Sequence, residues 1–135
     1  MSMSNATETE ILSYIFDSAA AAWAANGNFY LALHTGDPGE AGTATTSEIA
    51  YTSYARVAVS RTTGFTVSGN TAENAALVQF PTCTGSSGTA TYFSVVTTSS
   101  GAGQIICSGA LSSSLAISTG IQPQFNAGAL VITAD

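Results

Sequence analysis

Residues 29–40 read Phe29-Tyr30-Leu31-Ala32-Leu33-His34-Thr35-Gly36-Asp37-Pro38-Gly39-Glu40, and residues 53–59 read Ser53-Tyr54-Ala55-Arg56-Val57-Ala58-Val59. The first stretch is a short apolar run stopped by a hard turn, because Pro38 presets φ and Gly39 tolerates positive φ. The second alternates, with Val57 and Val59 on one face and Arg56 and Ala58 on the other, as a half-buried strand does. Strand, turn, loop and strand in that order decide the fold class, since an α/β protein would place a helix between the two strands.

The same pattern continues toward the C-terminus. Apolar runs at 64–67, 75–80, 90–97, 104–110, 115–118 and 130–133 are separated by the turn clusters Ser68-Gly69-Asn70, 84–88, 99–103 and Asn126-Ala127-Gly128. Regular turn spacing of this kind predicts an antiparallel β-sandwich or jelly roll of about eight strands. No repeat of solenoid or propeller period is visible.

Toward the N-terminus the period changes. Ile11, Leu12, Ile15, Phe16, Ala19, Ala20 and Trp23 recur at three- and four-residue steps, the spacing of one helical stripe. Thr7-Glu8-Thr9-Glu10 reads as a capping box and Asn26-Gly27 as a stop, which predicts one helix over 7–26, about five turns long. The chain is thus expected to be a single domain over 1–135, mainly β with one N-terminal α-helix: a flexible arm over 1–5, the helix, and the sandwich over 29–135.

Composition narrows the function classes. Only 7% of the 135 residues are charged, against 45% hydrophobic, and Arg56 and Arg61 are the only strong cations in a chain of net charge -6. Phosphate recognition needs several cationic contacts, and anionic membranes attract polybasic segments, so neither nucleic acid nor membrane is an expected partner. Residues 19–25 are too short and alanine-rich to span a bilayer, and no cationic n-region announces a secretion signal. Cys83 and Cys107 lack the spacing of a zinc site and read as small apolar side chains of a protein made in a reducing cytoplasm.

Groups that carry chemistry are sparse. His34 stands beside Asp37, but no Gly-x-Ser-x-Gly nucleophile elbow accompanies it, so it reads as a strand end bonded to the following turn. Asp37, Glu40 and Glu48 are the densest acids of the β region, yet they lack the Asp-x-Asp-x-Asp order of a calcium loop and read as a solvated loop. The acids elsewhere form no paired-carboxylate site. Gly101-Ala102-Gly103 precedes a strand, so it is a hairpin loop and no dinucleotide fingerprint. No catalytic residue, metal or cofactor is expected. Residues 40–52 read as an exposed, aperiodic loop of a length associated with contact functions, and Glu40, Glu48, Tyr51 and Tyr54 are the candidate partner-contact residues, the two tyrosines as an exposed aromatic patch.

The block Tyr30-Leu31-Ala32-Leu33-His34-Thr35-x-Asp37-Pro38-Gly39 with Ser53-Tyr54-Ala55-Arg56-x-Ala58-Val59, together with the closing Gly120-Ile121-x-Pro123-x-Phe125-x-Ala127-Gly128-Ala129-Leu130-x-Ile132-Thr133, resembles a family of small tailed-bacteriophage virion structural proteins. Relatives are often labelled tail-fibre proteins, and related jelly-roll proteins serve as capsid cement or decoration. The resemblance implies a non-enzymatic structural protein. Fibres are usually long and built from repeats or coiled coils, which this chain lacks. The expectation is therefore a cement protein on the capsid exterior that bridges major capsid protein subunits and self-associates as a dimer or trimer, with a tail-fibre, tail-tip or receptor-binding module as the alternative.

Overall fold

The computed structural model describes residues 1–134 and contains ten strands and one helix among them: β1 (Ser2–Met3), α1 (Asn5–Asp17), β2 (Asn28–His34), β3 (Val57–Ser60), β4 (Phe65–Ser68), β5 (Thr71–Asn74), β6 (Val78–Gln79), β7 (Gly88–Val96), β8 (Ile105–Ile117), β9 (Gln124–Phe125) and β10 (Val131–Thr133). All pairings are antiparallel. The large sheet runs β1-β8-β7-β2-β3, and two smaller sheets, β10-β5-β4 and β6-β9, complete the β structure.

Alternation along β2 explains why this strand sits at the centre. Leu31 and Leu33 point to one face, where they meet Val59, Phe93, Val95 and Cys107 of the same sheet and Val78, Phe80 and Leu130 from the smaller sheets and their connections. Ala32 points to the other face, where Val96, Ile105 and Ala44 form a second, smaller cluster. Both faces of the strand are covered, so residues 31–34 are all buried. The mainly β, antiparallel sandwich with one N-terminal helix is what forms, with its second layer divided in two.

An aromatic chain runs through the main core. Tyr51 meets Tyr54 edge-on at 5.4 Å, Tyr54 stacks on Phe80 at 6.3 Å, and Phe125 packs edge-on against both Phe80 and Phe93. Such pairs contribute roughly 0.5–1.5 kcal/mol each beyond the area they bury. The exposed aromatic patch expected from Tyr51 and Tyr54 is therefore replaced by core packing: Tyr51 is 3% exposed and its hydroxyl donates to Pro81 O at 2.7 Å.

Three local expectations are corrected. Residues 1–5 are no free arm, since Ser2 and Met3 pair with Ser108 and Cys107 of β8. The helix begins at Asn5 with Ser4 as N-cap, so Thr7 and Glu10 lie inside it and the cap hydroxyl accepts the Thr7 N–H instead. It ends at Asp17, where Ser18 turns left-handed at φ 55°, and not at Asn26. Glu10 sets that end: its carboxylate accepts the Trp23 indole N–H at 2.6 Å and the Ala22 N–H at 3.0 Å, so residues after Ser18 fold back toward the helix. Arg61 holds the returning segment, donating to the carbonyls of Trp23, Ala24 and Asn26 and lying over the Trp23 and Phe29 rings. Tertiary bonds override the helix propensity of the alanine run.

The loop over 40–52 is exposed at most of its positions, as expected, but it is anchored to the body at three of them. Ala44, Ile49 and Tyr51 are buried, and the Ile49 N–H donates to Leu33 O. Asp37-Pro38-Gly39 forms the expected turn, with Gly39 at φ 72° and its N–H bonded to Asp37 Oδ1. Gly42 cannot be replaced there, because a Cβ would lie 1.9 Å from Pro38 O. Among the described residues no helix is long and apolar enough to cross a membrane.

Candidate functional site

The residues singled out around the Asp-Pro-Gly turn assemble into one polar cluster that fastens the 40–52 loop to the large sheet. Glu48 is drawn beside the end of β2 through a bridge to His34. Arg56, just before β3, reaches it with a paired guanidinium–carboxylate contact, Nε to Oε1 at 2.7 Å and Nη2 to Oε2 at 2.8 Å. The Tyr54 hydroxyl donates to Glu48 Oε1 and accepts the Leu33 N–H. Arg56 also donates to Thr98 O, Thr98 Oγ1 and Gly101 O, which ties in the hairpin between β7 and β8. Burial and the Glu48 carboxylate push the Tyr54 hydroxyl pKa upward, so it stays protonated.

His34 is fully buried, with Nδ1 2.8 Å from Thr46 O and Nε2 2.7 Å from Ser94 Oγ. A carbonyl can only accept, so Nδ1 carries the proton and Nε2 accepts from the Ser94 hydroxyl. Burial lowers the pKa of the ring despite the raising effects of Thr46 O and Glu48, which keeps it neutral. The serine–histidine contact has the separation of a nucleophile and its base, but both residues are sealed from solvent, so no substrate reaches them. Their chemistry is to pin the loop at Thr46 to β7.

Of the four candidate contact residues, the structure brings Glu48 and Tyr54 together and turns both inward, while Tyr51 lies in the core. Glu40 alone is at the surface, where it accepts from Ser2 Oγ at 2.6 Å. The acids expected to form a solvated loop are each engaged by protein donors: Asp37 by the Gly39 N–H, Glu40 by Ser2, and Glu48 by Arg56 and Tyr54. Ser94, Thr98 and Gly101 complete the cluster and were not legible as its members, because they lie far along the chain with no motif of their own.

A second feature, an open groove, lies elsewhere. Between Ala90 and Tyr92 of β7 there is one residue, whereas between their partners Leu115 and Ala110 on β8 there are four, Leu111 to Ser114. That bulge stands over the segment carrying β9 and leaves an open groove of about 500 Å³, floored by Phe93, Phe125 and Leu130 and rimmed by Ser112, Gln124 and Asn126. Among the described residues no titratable side chain lines it. It can hold a partner by apolar contact and neutral hydrogen bonds, and it has no group for proton transfer.

Comparison with known families adds one finding: residues 2–133 match the family model described as Podophage GP4 fiber I protein gp80. No curated protein matches the chain.

Proposed function

We propose, because this chain belongs to the podophage GP4 fiber I protein gp80 family, that it is a non-enzymatic structural module of the virion's fibre. The fibre reading, held above as the alternative, takes the place of capsid cement. What carries it is the extent of the match, which takes in everything from β1 to the last strand. The feature that pointed to cement, a polar surface poor in charge, suits a fibre subunit equally, because both must pack against neighbours without like-charge repulsion.

The module works as a rigid body. Its one histidine and the Arg56–Glu48 ion pair are spent on internal fastening, and the groove beside β9 offers contact without acid–base chemistry. Its role is mechanical and adhesive: to hold shape while its surfaces bind other virion proteins or the outer face of a host.

Labelling the protein in intact virions and imaging them by cryo-electron microscopy tests the reading. Density on fibres at the tail is expected. Density spread over the shell, against the major capsid protein, would overturn it and restore the cement role. Copy number gives a second readout, because a shell protein is present in far more copies than a fibre subunit.

A further inference from the structure

Residues 2–17 are held to the body almost wholly by hydrogen bonds. β1 lends two residues to the edge of β8. The Ser4 N–H donates to Ile106 O and the Asn5 N–H to Glu40 O. The Ser4 and Thr7 hydroxyls bond Ile105 O, and the Gln104 amide donates to Thr7 Oγ1 and Glu10 Oε2. Among the described residues, Met3 is the one member of this stretch that packs against the main apolar cluster, and no side chain of α1 belongs to either cluster. Thr7 is the one buried residue of the helix, while Leu12, Ile15 and Phe16 face solvent. Hydrogen bonds of this kind are exchanged for bonds to water when a segment lifts, so each adds little net stability. The apolar burial that stabilises the rest of the fold is missing here.

The link beyond the helix is free to bend. Ser18, Ala19 and Ala20 are exposed and lie in no helix or strand, and their bonds stay local, with the Ser18 and Ala19 N–H groups both reaching Ser13 O. Ser18 sits at φ 55°, a left-handed conformation costly to a residue with a Cβ, so a change of backbone there relieves strain. The segment that follows is fastened separately. Arg61 donates to the carbonyls of Trp23, Ala24 and Asn26 and lies over the Trp23 and Phe29 rings. An open recess of about 270 Å³ separates this segment from Ile11 and Tyr14 of the helix. Among the described residues, Glu10 makes the hydrogen bonds that cross to it, at Ala22 and Trp23.

We propose that residues 2–17 form a strap that opens as one unit about residues 18–20 while the sandwich stays folded. Closed, β1 covers the outer edge of β8, whose other edge pairs with β7. Open, it leaves the Ile105 and Ile106 carbonyls bare at the start of an edge that carries no charge or proline over 105–110. Those are residues that sheets use to guard an edge against strand addition, so the strap itself is the guard.

The inference concerns the isolated chain and does not depend on the fibre assignment. Native-state hydrogen exchange, followed residue by residue by NMR on the full chain in low urea, tests it. The Ser4 amide and the amides inside α1 should share one protection factor, about a hundredfold or more below those of β2 and β7. Added urea should scarcely change their rate, because opening exposes little surface, while the β2 and β7 rates rise steeply. Phe80→Ala, which loosens the core, should speed exchange in β2 and β7 and leave the strap rate unchanged; the urea series on the wild-type chain decides the matter if that variant fails to fold. Strap amides as protected as β2, or rising in step with it in urea or in Phe80→Ala, would overturn the proposal. So would a protected Ser4 beside a rapidly exchanging helix, which is fraying of α1 on a fixed β1.

Discussion

Replacing Arg56 with alanine removes every bond that ties Glu48 to the hairpin carrying Thr98 and Gly101. The Arg56 and Glu48 side chains are 3% and 15% exposed, so the abandoned carboxylate is only partly rehydrated. Removing one partner of a buried ion pair costs about 3–5 kcal/mol, and the Tyr54 hydroxyl that remains on Glu48 offsets part of it. The expected loss is about 2–4 kcal/mol in urea unfolding, or roughly a 10 °C fall in Tm for a domain of this size. Arg56→Lys keeps the charge but cannot bridge Glu48, Thr98 and Gly101 at once, and should cost about 1–2 kcal/mol. Glu48→Gln, which keeps the shape, combined with Arg56→Ala should cost less than the sum of the two single changes. If Arg56→Ala unfolds within about 0.5 kcal/mol of wild type, the range of an ordinary surface substitution, the cluster is not a fastening and this account of the loop is wrong.

Other outcomes follow from the same geometry. Because burial holds the folded His34 below its ordinary value of 6.5, the unfolded chain takes up a proton first, so stability should fall as pH drops below about 6.5, by at most about 1.4 kcal/mol per pH unit. Denaturant midpoints measured on either side of that pH should separate in wild type and converge in His34→Gln. Phe80→Ala empties the middle of the aromatic chain and should cost about 3–5 kcal/mol, whereas Val67→Ala, at a position 75% exposed, should cost under about 0.5 kcal/mol; equal effects would misplace the core. Cys83 and Cys107 are free and buried, and burial pushes the Cys107 thiol up to about 12. Both should resist alkylation until the protein is unfolded, and rapid labelling of native Cys107 would contradict the packing.

The large sheet was legible where the sequence obeys period two. The apolar run over 29–34 forms a strand, the Val57/Val59 alternation places its side chains as observed, and the Asp37-Pro38-Gly39 turn forms where Pro and Gly require it. Elements defined by their partners were not legible. Thr71–Asn74 carries little β-forming signal, yet it is a strand because β4 and β10 pair with it from both sides. The serines at 112–114 read as a break between two strands, while β8 runs through them by bulging. The helix end was obscured because Glu10 and Arg61 act across the fold on residues whose own propensity says helix. The inward turn of three candidate contact residues was hidden for a related reason: Glu48 and Tyr51 in an aperiodic loop and Tyr54 at its exit look exposed, and only the three-dimensional position of Arg56, Phe80 and Pro81 draws them toward the body.

The cap of α1 has a consequence for the order of folding. Ser4 and Thr7 bond to Ile105 O, and β1 pairs with Cys107 and Ser108, so the strand pairing and the cap of this segment wait until β8 has been synthesised. A helix of 13 residues is marginal in water on its own, and contacts between such distant parts of a chain form slowly. The N-terminal segment is thus the last piece to be latched onto a sheet whose other strands are already paired. Latching does not bury its apolar stripe, because Leu12, Ile15 and Phe16 remain exposed in the folded chain, so docking of the helix leaves that source of aggregation in place.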